Sequence, residues 1–171
     1  MSERPRPGVY YEETISVPWP FVALLVAIGV AVPASGLLHP ASGHRPGSEP
    51  PWYLLAFFGP FFIALALTLS RLRLVVEEER FVVAFGPIRK VVPVDRVTAC
   101  EPVRLGRAAA WSWGIHMQGW RTWLWSVPVK GGLAVSLQVG RGRLIVSTQH
   151  PEEVCQAVAA AKQAMRKWRG E

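Results

Sequence analysis

Cysteine is scarce: Cys100 and Cys155 are the only two in the chain. Two are too few for a disulfide framework, and their spacing suits no metal site. Reduced, partly buried thiols are the default for a cytoplasmic domain. Catalytic signatures are also missing. The chain has no Gly-x-Ser-x-Gly, no Gly-Lys-Ser/Thr phosphate loop and no His-x-x-x-His pair. His39 and His44 share a loop but lack a third ligand, so solvated side chains are the simpler reading. His116, beside Met117 and several tryptophans, has no nucleophile or carboxylate partner in sequence and reads as structural. The sequence therefore predicts no catalytic residue, no cofactor and no metal, and the chain reads as non-enzymatic.

Charge is absent where the apolar runs are longest. Trp19 to Leu38 carries no charged residue, nor does Pro50 to Ser70. A helix rises about 1.5 Å per residue, so roughly 20 residues cross a hydrocarbon core of about 30 Å. Neither run alternates polar with apolar, which argues against barrel strands. The expectation is two transmembrane helices, at about 19–38 and 51–70. Val32-Pro33-Ala34 resembles a small-residue cleavage site, but the apolar run exceeds the usual signal core of about 7–15 residues. Pro33 and Gly59-Pro60 interrupt the runs without any ionisable residue beside them, so a passive anchor is expected rather than a transport path.

Basic residues orient this hairpin. The connection 39–50 carries Arg45 alone, whereas Arg71, Arg73, Arg80, Arg89 and Lys90 follow the second run. Positive charge stays inside, and Arg4 and Arg6 place the N-terminus there too. The expected location is the cell (inner) membrane, multi-pass, with both termini cytoplasmic.

Residues 1–18 read as a tail followed by an interfacial segment, in which Tyr10, Tyr11, Ile15 and Val17 lead into the first span. From residue 71 to 171 the texture is β-rich. Segments near 72–76, 81–85, 88–92, 98–103, 133–139 and 143–148, with weaker patterns at 115–118 and 121–125, suggest about seven short antiparallel strands. Leu133, Val135, Leu137 and Val139 alternate cleanly with polar or small neighbours. Glu77-Glu78-Glu79 reads as a solvated turn, and Asp95 after Pro93 as a turn cap. A C-terminal helix is expected over 151–168. Pro151, Glu152 and Glu153 suit its first turn, and Lys162, Arg166, Lys167 and Arg169 suit its last. Val154, Val158, Ala161, Met165 and Trp168 form its apolar stripe.

The order of these residues resembles small two-span bacterial membrane proteins of unknown function with a pleckstrin-homology-like (PH-like) domain. The pieces that match are Tyr11-Glu12-Glu13 with Pro18-Trp19, the run Ile88 to Val97, Trp113-Gly114-Ile115, and Ser147-Thr148 before Pro151-Glu152-Glu153. His116 departs from the arginine often found after Gly-Ile in those proteins. The resemblance implies an α+β fold: a transmembrane hairpin, then a PH-like antiparallel β-barrel or sandwich closed by the C-terminal helix. It implies no reaction, because such folds host many functions.

The least ordinary feature is tryptophan interleaved with arginine. Arg104, Arg107, Trp111, Trp113, Trp120, Arg121, Trp123 and Trp125 form the candidate lipid or partner surface. The rings could equally fill a small β core, since indole buries a large area. From Arg71 onward the chain holds sixteen Lys/Arg against eight Asp/Glu. Each basic group near an anionic leaflet contributes about 1 kcal/mol. The expected partners are the lipid bilayer, through anionic headgroups, and a membrane protein, because Trp and Arg dominate binding hot spots. Basic charge with stacking rings also suits single-stranded nucleic acid, but attachment to a membrane disfavours it. The function expected is a membrane-anchored binding or scaffolding module. The alternative is an accessory subunit packing through its spanning helices.

Overall fold

The structure is a computed structural model that describes residues 8–38 and 52–170. The loop histidines His39 and His44, Arg45 and the N-terminal Arg4 and Arg6 lie outside the described residues. Contacts divide the chain into two units. One takes in residues 17–70, and the other joins the residues before 17 to those after 70.

The first unit is a helical hairpin, α1 (Trp19–Leu38) and α2 (Trp52–Thr68). The helices approach closely at Gly29. A Cβ placed there would meet the Gly59 carbonyl oxygen at 3.0 Å and Ile63 Cγ1 at 3.2 Å. Only glycine leaves that space for a neighbouring backbone. Pro60 lies inside α2 without ending it.

The expectation of two membrane-spanning helices is corrected here. Among the described residues, no helix is long and apolar enough to cross a membrane. Helix α2 starts at Trp52 and ends at Thr68, so its 17 residues rise about 26 Å, short of a core of about 30 Å. The multi-pass inner-membrane location with both termini cytoplasmic rested on those spans and goes with them.

The second unit is α+β. Its first sheet runs in the order β1-β2-β3-β4: β1 (Val9–Ser16), β2 (Arg71–Glu77), β3 (Arg80–Phe85) and β4 (Ile88–Pro93). All three pairings are antiparallel. Its second sheet contains β5 (Val97–Arg104), β6 (Gly114–Met117), β7 (Thr122–Ser126), β8 (Leu133–Val139) and β9 (Gly142–Ser147), in the order β5-β8-β9-β7-β6. A short helix, α3 (Arg107–Ala110), precedes β6, and α4 (Pro151–Arg169) closes the unit.

Three expectations change at this point. The two sheets keep their own edges and do not close into a barrel. The strands are not all antiparallel, because β7 runs parallel to β9. The interfacial segment at 10–18 is instead mostly strand β1, paired with β2 from Val9↔Glu77 to Ser16↔Arg71.

Register explains the core. On the inner face of the first sheet, Ile15, Leu72 and Phe85 share a row. Tyr11, Val76, Phe81 and Val92 share another. Leu72, Leu74, Val76, Phe81, Val83 and Phe85 are wholly buried. Burying such a side chain contributes roughly 1.5–3 kcal/mol. In β8 both faces are covered: Ala134 and Ser136 are buried along with Val135 and Leu137. That explains why its alternation in sequence does not mark a solvent-facing side.

Helix α4 packs against β1, β2, β5 and β8. Val154, Ala157, Val158 and Ala161 are buried, whereas Trp168 at the far end of the same stripe is exposed. The Lys162 ammonium donates to the Val97 carbonyl. Gly170 stops the helix with φ of 74°, a left-handed cap, and its N–H bonds back to the Arg166 and Lys167 carbonyls. Cys155 on α4 and Cys100 on β5 form a disulfide, which corrects the expectation of free thiols. Two cysteines on facing elements need no framework to pair. Their Cα atoms are 5.5 Å apart, within the range a disulfide needs.

Candidate binding surface

The predicted surface residues divide between core and solvent, and the β6–β7 hairpin shows where the division falls. Ile115 lies opposite Trp125 and Met117 opposite Trp123, so these four share one face. Burial falls along that face toward the turn. Trp125 is 3% exposed and stacks on Phe85 with ring centroids 5.8 Å apart, joining the two sheets. Among the described residues its indole Nε1 meets no acceptor. One step nearer the turn, Trp123 is 39% exposed and carries Lys90 Nζ at 4.7 Å from the ring centroid, a cation–π contact. Partial burial lowers the Lys90 ammonium below its usual pKa.

Past the strand end the side chains stand in solvent. Trp120, in the turn after Gly119, is 92% exposed and Met117 is 64% exposed. Arg121 is exposed beside Trp120, and its carbonyl accepts the Arg143 N–H at 3.0 Å. Trp111 caps the C-terminal end of α3 at 70% exposure, while Trp113 is half-buried. Arg104 ends β5 and Arg107 begins α3, both exposed. Trp125 therefore leaves the candidate surface for the core. Trp111, Trp120, Trp123, Arg104, Arg107 and Arg121 remain accessible, with Met117 and Lys90 as members not singled out in advance. Met117 sits beside His116 in a strand-like segment, whereas Lys90 is distant in sequence and joins through its contact with Trp123.

His116 is exposed on β6, an edge strand, with its backbone opposite Leu124. Among the described residues no group of three His, Cys, Asp or Glu is placed to hold a metal ion. Among the described residues nothing at His116 assembles a nucleophile, base and orienting group.

A second constellation joins residues that are distant in sequence. Glu13 points inward from β1, where its Oε2 accepts the Thr148 hydroxyl at 2.5 Å and its Oε1 accepts the Gln149 N–H at 3.0 Å. The Tyr11 hydroxyl donates to the same carboxylate at 3.0 Å. Burial, then the charge on Glu13, push the Tyr11 phenol well above its usual pKa. The His150 N–H returns to Thr148 Oγ1 at 3.2 Å. This set ties β1 to the junction that starts α4. These hydrogen bonds make it a fastening between the two segments.

Family models, curated proteins and solved structures were each compared with the chain, and none matches it.

Proposed function

We propose that this chain is a non-enzymatic binding module whose β6–β7 hairpin docks on an anionic lipid surface. The observation carrying this reading is Trp120, 92% exposed at a hairpin tip beside Arg121. A large indole in water loses apolar hydration, and the headgroup layer accepts both its ring and its N–H. Met117, the last residue of β6, extends the apolar part, whereas Trp111, Arg104 and Arg107 lie at the opposite end of the sheet, level with Ser126, and take no part. Each basic group close to an anionic leaflet contributes about 1 kcal/mol. Docking of this kind is peripheral and needs no spanning helix.

The test is intrinsic fluorescence of the full chain titrated with vesicles. The full chain is needed because a fragment starting at Arg71 would lack strand β1. Phosphatidylglycerol vesicles should shift tryptophan emission to the blue, phosphatidylcholine vesicles should not, and high salt should reverse the shift. Trp120→Ala combined with Arg121→Ala should weaken the partition about tenfold or more. Equal response to both vesicle types ends this reading.

A further inference from the structure

We propose that the outer face of the first sheet holds an anion notch for a phosphomonoester carried on a small apolar body. This goes beyond the docking hairpin and uses different residues. Register places Thr14, Arg73, Ala84 and Arg89 in one row across all four strands. Side chains in a row share a face, so these four point away from the core that Leu74 and Val83 fill. Arg71 lies two residues before Arg73 and faces the same way.

Ala84 makes the row a notch. It stands between Arg73 and Arg89, whose Cα atoms are therefore about 10 Å apart. A methyl group leaves the space above it open to the Arg89 side chain, while the Arg73 guanidinium is held by Glu12 on the β1 side. The face is depressed, with a volume of about 880 Å³. Its floor is apolar: Val75 is buried and Val82 half-buried. Cavities of about 300–1,000 Å³ suit small molecules.

Charge selects the ligand. Arg73 already has a partner, with its Nε 2.9 Å and its Nη2 2.5 Å from Glu12 Oε1. Arg80 lies 3.5 Å from Glu77. Among the described residues no ion pair engages Arg71 or Arg89. Three arginines thus crowd one end of the depression with a single carboxylate between them. Glu78 and Glu79 line the other end. Along β2 that end is about 20 Å from Arg71. Screening acts over roughly 8 Å, so those carboxylates do not neutralise the arginine end. An anion there relieves like-charge repulsion. A phosphomonoester offers three oxygens to two or three guanidinium forks, which a carboxylate cannot match.

The shared chemistry is the phosphomonoester group, whether on a soluble ester or on a lipid. The experiment follows backbone amide resonances of the full chain with two probe pairs. Phenyl phosphate is set against phenol, and phosphatidic acid vesicles against phosphatidylcholine vesicles. Saturable shifts at Thr14, Ala84 and Gly86 with phenyl phosphate alone assign a soluble ligand. A response confined to phosphatidic acid assigns a lipid one. Either result requires that Arg71→Ala with Arg89→Ala weaken binding about tenfold or more while the dispersed spectrum is kept. Trp120→Ala should leave the phenyl phosphate response intact, which separates this site from the hairpin. Silence with both phosphate probes, or binding indifferent to the arginine pair, overturns the proposal.

Discussion

Trp125 and Trp120 belong to the same hairpin and occupy opposite environments. The first is stacked on Phe85 between two sheets, and the second stands almost wholly in water. Their residue type is identical, so type does not set the role. What separates them is whether the facing element reaches that far. Phe85 ends β3, and Trp125 stacks over it. The contrast repeats along α4, where Val154, Ala157, Val158 and Ala161 are buried and Trp168 is exposed. Indole near the closing contacts is core, and indole past them is available for binding.

Substitutions sharpen the comparison in order of size. Trp125→Ala should cost about 3–5 kcal/mol of stability, read from denaturant midpoints at constant slope. Cys100→Ala, which frees α4 from β5, should cost about 2–4 kcal/mol. Hydrogen exchange should then show α4 opening before the strands. Trp123→Ala should cost about 1 kcal/mol, from the lost Lys90 contact and partial packing. Trp120→Ala should lie within about 0.5 kcal/mol of the parent chain while abolishing most of the vesicle response. If Trp120→Ala proved as damaging as Trp125→Ala, the division of the hairpin into core and docking ends would fail.

The hairpins, the C-terminal helix and its caps were legible because they depend on local patterns. Gly86-Pro87, Gly140-Arg141-Gly142 and Pro151-Glu152-Glu153 each set a turn or a helix start within a few residues. Strand β1 was hidden by its own chemistry. Its inward positions are Val9, Tyr11, Glu13 and Ile15, and a carboxylate breaks the apolar alternation. Only the distant Thr148 and Gln149 explain why Glu13 faces inward. The parallel β7–β9 pairing and the Cys100–Cys155 bridge are similarly non-local. The candidate surface could be named as a set, but its division could not. Which tryptophan meets Phe85 depends on how two sheets overlap, and no spacing encodes that. The helical runs misled for another reason: absence of charge measures composition, while among the described residues no helix is both long and apolar enough to cross a membrane.

Strands β1 and β2 are neighbours, although the whole helical hairpin lies between them in sequence. Ser16 faces Arg71, and the Val17 N–H reaches the Ser70 carbonyl at 2.8 Å. The chain therefore departs and returns through a doorway one strand spacing wide, about 4.8 Å. The hairpin is a guest inserted between two paired strands. Its length can drift at a cost that grows only logarithmically, about 0.6 kcal/mol per doubling, while the host register stays where Glu13 pins it.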